Sequence, residues 1–279
     1  MTDIRRLLIT GAGGDVGRRI TPLLKAAYPE VVLSDMKPFD DPHGLPFVQA
    51  DVRDRASIDR AVAGVDGIIH LGGHPVDGPW DLIRDVNIDG CYTVFEAARV
   101  AGVKRIVFAS SNHAVGFYPR SQTIPHDVTV LPDSRYGVSK AFGEALGAFY
   151  ALKYGLKVTS LRIGNVNERP IDTRRLAIMV HPEDLVQLMR IGLDHPGIVN
   201  EVFYGVSGNT RAWWDNSRAE SFGYRPKHNA EDFRTEAEAA EAGVAPDVVA
   251  SHYQGGTFCS AEYTADFAAL KGWSYERGV

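Results

Sequence analysis

Cysteine is scarce in this chain of 279 residues: Cys91 and Cys259 are the only two, and they lie far apart. A disulfide framework is therefore excluded as the source of stability, and a reducing cytoplasm is the expected setting. Long apolar runs are missing as well. None approaches the roughly 20 residues that span a bilayer, and the opening "MTDIRRLLIT" lacks the apolar stretch of a secretory leader. Positive charge is not in excess: a formal net charge of −5 offers no basic field for nucleic acid or an anionic membrane surface. His70 and His74 stand four apart, but Gly72 and Gly73 between them argue against a helical metal pair, and no other histidine spacing suggests a metal. There is no internal repeat, low-complexity tract or flexible linker. Hydrophobic and charged contents of 44% and 23% are ordinary for a globular protein. The length suits one large domain with a smaller appended part.

What is present has a rhythm. Short apolar runs ("RRLLIT", "EVVLSD", "GIIHL", "RIVFAS", "KVTSLRIG") alternate with longer amphipathic stretches. Strands buried on both faces of a parallel sheet read as continuous apolar runs, with crossover helices between them. The stretch "WDLIRDVNIDGCYTVFEAARVAG" predicts a helix stopping at Gly102, and "YGVSKAFGEALGAFYALKYG" one stopping at Gly155. Past residue 164 the alternation weakens, although "HPEDLVQLMRIGLDHPG" predicts a further helix with Pro182 in its first turn and a stop at Pro196. The expected architecture is α/β: a Rossmann-type, doubly wound parallel sheet over 1–164 that includes the catalytic residues. A small C-terminal substrate-binding cap, not cleanly separable, is expected over 165–279.

The first strand runs into "TGAGGDVGRRI", where Gly11, Gly14 and Gly17 recur every third position before a helix. In such a loop the first glycine permits the tight turn and the second lets backbone approach a pyrophosphate. The third allows close helix packing, and the phosphate meets free N–H groups at the helix start. The second strand ends in Asp35, where a carboxylate accepts from ribose hydroxyls and repels a 2′-phosphate, favouring NAD over NADP despite nearby Lys37. Asp51 and Val52 fall where an adenine ring needs an edge contact, and "HLGG" at 70–73 lets backbone approach the cofactor.

Chemistry beside that cofactor is offered by "YGVSK". Tyr136 alone among eleven tyrosines has a lysine four residues later, so on a helix Lys140 shares its face. A free phenol, with a pKa near ~10, is a poor base at neutral pH, and a neighbouring ammonium favours the phenolate. In "IVFASSNHAVGFYPR", Ser110, Ser111, Asn112 and His113 place four polar side chains at a strand's carboxyl end, where ligands bind in open parallel sheets. A polar turn would explain them equally in isolation. Beside Tyr136, a serine hydroxyl could share a substrate hydroxyl with the phenol.

Together these motifs resemble the extended short-chain dehydrogenase/reductase superfamily over nearly the whole chain. The stretches "IVFASSNHAVGFYPR", "YGVSKAFGE", "LRIGNV", "WWDNS" and "YQGGTF" are more closely similar to its uronate dehydrogenase family. The resemblance implies NAD-dependent oxidation of C1 of D-galacturonate or D-glucuronate to the aldarolactone by a cytoplasmic homo-oligomer. It implies Tyr136 as base with Lys140 and Ser111 as its catalytic partners. It further implies a cofactor cradle of Gly11, Gly13, Gly14, Asp15, Val16, Gly17, Asp35, Asp51, Val52, Leu71, Gly72, Gly73, Asn87, Ser110, Tyr136, Lys140 and Ile163. For the substrate it implies Ser111, Asn112, His113 and Tyr136, with Arg174 on the carboxylate and Phe258 closing the pocket. Arg175, one residue away, would take the carboxylate in a shifted register. Pro75 and Asn165 stand where family members carry small hydroxyl residues; the amide can still donate and accept, whereas proline cannot replace a hydroxyl. Trp213 and Trp214 are read as packing.

Three other functions share parts of this pattern. A nucleotide-sugar epimerase or dehydratase usually has a larger second domain, and dehydratases want acids where Asn112 and His113 stand. A neutral-sugar dehydrogenase would have no use for Arg174. A non-catalytic dinucleotide sensor would not need the Tyr136–Lys140 pair.

Overall fold

The computed structural model describes residues 3–40 and 43–273. Seven parallel strands form the central sheet: β1 (Arg6–Thr10), β2 (Glu30–Asp35), β3 (Phe47–Gln49), β4 (Gly67–His70), β5 (Arg105–Ser111), β6 (Lys157–Ile163) and, late in the chain, Asn200–Gly205. The short strands β7 (Asn165–Val166) and β8 (Met179–Val180) pair separately, which makes Asn200–Gly205 β9. The sheet order is β3-β2-β1-β4-β5-β6-β9. The chain winds outward from β1 one way and then from β4 the other, so a crevice opens at the carboxyl ends of β1 and β4.

Both faces are covered, and this is why the central strands are apolar throughout. Helices α1 (Asp15–Lys25) and, from the later chain, Pro182–Asp194 cover one face. Ile20 and Leu24 pack there with Leu185, Leu188, Met189 and Leu193 against Leu7, Ile9 and Val107. On the other face α2 (Arg55–Ala61) lies beside a composite helix. Its α3 (Trp80–Ile83) passes through a π-helical turn, Arg84–Asp89, into α4 (Gly90–Val100). Next to these lies α5 (Arg135–Tyr154), and Ile58, Val94, Phe95 and Tyr150 close over Leu8, Ile68, Ile106 and Val158. Each such side chain contributes about 1.5–3 kcal/mol through burial. The stops predicted at Gly102 and Gly155 are observed, each glycine taking a left-handed φ of 75°. A single turn, α6 (Arg175–Ile178), then precedes the Pro182–Asp194 helix, α7.

The division expected at 164 does not coincide with the layers. The chain leaves the sheet after β6, contributes β7, α6 and β8, and returns through α7 to add β9 beside β6. Residues 182–205 thus belong to the Rossmann layer, while the remaining late segments fold over the carboxyl edge. There Val115, Tyr118 and Ile124 pack with Ile178, Tyr204 and Trp214, which confirms Trp214 as a packing residue. Among the described residues no helix is long and apolar enough to cross a membrane.

Candidate active site

Gly11 follows β1 with φ 68°, a conformation a side chain resists, and a Cβ there would stand 2.8 Å from Gly72 N. The turn after β1 is therefore pressed against the turn after β4. At Gly17 a Cβ would meet Ala12 O at 2.5 Å, so α1 can start close to its strand only with glycine in that place. Gly14 caps α1 without a side-chain bond, leaving the helix's first N–H groups directed into the crevice. The Asp35 carboxylate is set at the rim by two backbone donors: Gly13 N to Oδ2 at 2.9 Å and Met36 N to Oδ1 at 2.7 Å. Asp51 is clasped by Arg53 at 2.6 Å, and that hydrogen bond holds its carboxyl below the usual carboxylate range. Its neighbour Val52 packs near Gly72.

The resulting cleft measures about 880 Å³ and runs from this loop across the ends of β4, β5 and β6. It brings together Gly11, Gly13, Gly14, Asp15, Val16, Gly17, Asp35, Asp51, Val52, Leu71, Gly72, Gly73, Ser110, Tyr136, Lys140 and Ile163. Asn87 is not among its lining residues. Buried on the π-helical turn, its amide accepts from His74 N at 2.7 Å and donates to His74 O at 3.0 Å and Ser139 Oγ at 3.2 Å. It braces the cleft from behind. Ser110 lines the wall, but its hydroxyl donates inward to Glu144 Oε1 at 2.6 Å and is turned away from a cofactor. Glu144 in turn forms a bidentate pair with Arg162, at 3.0 and 2.8 Å.

Tyr136 and Lys140 lie one turn apart on α5. The ammonium donates to Ala109 O at 2.8 Å and stands 5.3 Å from the Tyr136 ring centre. Lysine is thereby anchored to β5 while its charge faces the phenol. Tyr136 is buried, and among the described residues its hydroxyl has no protein hydrogen-bond partner. Ser111 ends β5 at the same edge, and its Oγ accepts from His113 N at 3.2 Å, capping the short turn Asn112–Val115. Beneath them His70, fully enclosed and bonded to Thr10 Oγ1 at 2.8 Å, is driven down to about 3 by burial and then by the Lys140 charge, so it stays neutral.

The far end of the cleft is lined by Pro75, Ser111, Asn112, His113, Tyr136 and Asn165. The Asn112 amide lies between Ile163 O, at 3.1 Å, and Arg174 Nη2, at 3.2 Å, and satisfies both when its nitrogen is turned to the carbonyl and its oxygen to the guanidinium. Arg174 also donates from Nε and Nη2 to Gln254 O, at 3.0 and 2.8 Å. Among the described residues no carboxylate lies within ion-pair distance of it, and burial pushes its guanidinium down to about 10. Arg175 is instead paired with Asp172. The Asn165 Oδ1 is buried without a partner. Phe258 stacks on the His113 ring with centroids 3.8 Å apart. No spacing or motif points to Asp133, whose Oδ2 accepts from the His113 ring at 2.6 Å, nor to Gln254 or the Glu144–Arg162 pair. All three depend on segments distant along the chain. Outside the cleft, His181, Glu183 and His228 bring one potential ligand atom each within 4.8 Å of the others, a grouping that histidine spacing did not suggest.

Residues 7–196 match the model of the NAD dependent epimerase/dehydratase family. A uronate dehydrogenase of Pseudomonas putida is 42% identical over 264 residues, covering 93% of this chain and 97% of that protein. The crystal structure of a glucuronic acid dehydrogenase from Chromohalobacter salexigens superposes with a TM-score of 0.89 at 41% identity, covering 92% and 97% of the two chains. A uronate dehydrogenase structure from Agrobacterium tumefaciens, a tyrosine-to-alanine mutant complexed with NAD, superposes at 0.86 with 40% identity over 92% and 97%.

Proposed function

We propose that this chain, which belongs to the NAD dependent epimerase/dehydratase family and within it to the uronate dehydrogenases, oxidises C1 of D-galacturonate or D-glucuronate to the aldarolactone. NAD fits the cleft: the Gly11–Gly17 loop, the open N-terminus of α1 and the two-point-held Asp35 suit a pyrophosphate and a ribose diol. When bound, NAD supplies the acceptor for the C1 hydride. Tyr136, as phenolate, takes the proton from the C1 hydroxyl of the ring-closed sugar. Lys140, tethered to Ala109 O, stabilises that phenolate. Ser111 shares the charge that develops on the oxygen, and the lactone leaves.

The observation that carries the substrate class is Arg174. Its guanidinium is deep, lacks an acidic partner among the described residues and touches Asn112 of the cleft wall. A uronate carboxylate supplies the missing anion, and Nη1, which has no protein partner among the described residues, is free to donate to it while Nε and Nη2 hold Gln254 O and Asn112. Arg175, engaged by Asp172, is not needed for that role. Initial rates with NAD on galacturonate, glucuronate, galactose and glucose test the assignment, and the uronates should be oxidised faster by at least tenfold in kcat/KM. Tyr136→Phe should lower kcat on the order of a hundredfold with NAD binding unchanged. Faster turnover of the neutral sugars would remove the uronate assignment, and more than about a tenth of wild-type turnover in Tyr136→Phe would place the base elsewhere.

The outer face of α4 and α5 exposes Tyr92, Phe149, Leu152 and Tyr154, with Leu152 at 78%, which supports a homo-oligomer built on this face. A sedimentation mass of 30.5 kDa at micromolar protein would refute it. Two buried, unpaired cysteines support a cytoplasmic address, which cell fractionation checks.

A further inference from the structure

We infer that Asp133 is a positioning residue that fixes the proton of the His113 ring on Nδ1, so that Nε2 meets the sugar as a hydrogen-bond acceptor for a hydroxyl. The inference rests on the cleft being a sugar site. The Asp133 side chain is fully buried, and its Oδ2 lies 2.6 Å from His113 Nδ1 while its Oδ1 accepts from Ser134 Oγ at 2.8 Å. A carboxylate only accepts, so the ring donates from Nδ1. In a neutral imidazole the other nitrogen is then the acceptor.

The pair has little freedom to rearrange. A Cβ on either Gly116 or Gly255 would stand 1.9 Å from Asp133 Oδ2, so two separate backbone segments enclose the carboxylate. The His113 ring is stacked on Phe258, meets Tyr136 edge-on with centroids 5.9 Å apart, and lines the cleft. Among the described residues, no protein atom bonds its Nε2. Ser134, held by Asp133, also caps α5 by accepting from Gly137 N at 3.0 Å, so one carboxylate ties the histidine to the helix that carries Tyr136. Two neighbouring groups at one end of the cleft thus offer a uronic acid opposite chemistry. Arg174 presents only donors to the carboxylate, whereas His113 presents an acceptor that a hydroxyl satisfies and a carboxylate does not.

Nitrogen-15 NMR of histidine-labelled protein reads the tautomer directly, and His113→Gln identifies the resonance among nine histidines. Wild type should show His113 protonated on Nδ1, and Asp133→Asn should mix the tautomers. Asp133→Asn should also raise KM for the faster of galacturonate and galactose roughly tenfold, the scale of leaving one buried hydroxyl donor unpaired, with a smaller change in kcat and none in NAD binding. Combined with His113→Phe, which keeps the stack on Phe258 but has no ring nitrogen, it should add nothing further, because both changes remove the same acceptor. A wild-type ring protonated on Nε2, or losses that multiply in the double variant, would overturn the inference. If Asp133→Asn fails to fold, the wild-type tautomer alone decides. Preference for galactose would remove the uronate assignment while leaving this result standing.

Discussion

Replacing Arg174 with alanine separates a uronate enzyme from a general sugar dehydrogenase. The substitution removes two bonds to Gln254 O and one to Asn112 Oδ1. It also removes a cation for which the described residues supply no carboxylate. Burial lowers the guanidinium to about 10, which still leaves it charged at pH 7. A substrate carboxylate leaving water needs a paired, hydrogen-bonded partner, and losing a charge-assisted contact costs about 1.5–3 kcal/mol, or roughly ten- to a hundredfold in KM. Arg174→Lys should recover only part of this, because an ammonium cannot hold Gln254 O and Asn112 along one edge while donating to the carboxylate from another. The orphaned Gln254 carbonyl costs stability as well, about 1–3 kcal/mol, so the melting temperature of Arg174→Ala should fall. The deciding assay is a pair of saturation curves per variant, on galacturonate and on galactose. Only the uronate curve should move. Parallel losses on both sugars would make Arg174 a structural brace of the 254 segment and end the carboxylate assignment.

Asp35 should make NAD at least tenfold better than NADP in kcat/KM, and Asp35→Ser should narrow the gap by removing the charge that faces a 2′-phosphate; equal use of both cofactors by the wild type would refute this role. The Glu144–Arg162 pair is 8% and 3% exposed, so Glu144→Gln should destabilise by about 3–5 kcal/mol in urea unfolding, since it strands a buried cation. The double variant Glu144→Leu/Arg162→Met should lose less than Glu144→Gln alone, and a greater loss would show that the pair adds more than mutual neutralisation.

Legibility in the sequence followed the range of the interaction. Strands β1, β2, β4, β5 and β6 were readable because burial on both faces makes them continuously apolar, and the helix ends because Gly102 and Gly155 act locally. β3 is three residues long at the sheet edge, too short to give a pattern. β9 carries Glu201 inside the strand, neutralised by Arg218 at 2.7 Å. Without that partner in view, a buried acid reads as a loop. The chain's return to the sheet beyond 164 was lost with it.

The site divides in the same way. Side chains placed by one turn or one helix were legible from spacing read in its local context: the Gly11–Gly17 loop between a strand and a helix, and Tyr136 with Lys140 on a shared helical face beside the polar end of β5. Groups that orient them come from other segments. Asp133 reaches back to His113, Gln254 holds Arg174, and Asn87 supports the His74 loop, although the resemblance had placed Asn87 on the cofactor. Ser110 shows the limit most sharply. It stands beside Ser111 in sequence, yet strand alternation turns its hydroxyl to Glu144 inside the protein while Ser111 faces the cleft. Adjacent polar residues at a strand end therefore have different surroundings, one securing α5 to β5 and the other lining the cleft beside Tyr136. The position of Tyr136 depends on Ser110 and Lys140, since α5 is fixed to the sheet through Glu144 at one point and through Lys140 to Ala109 at another.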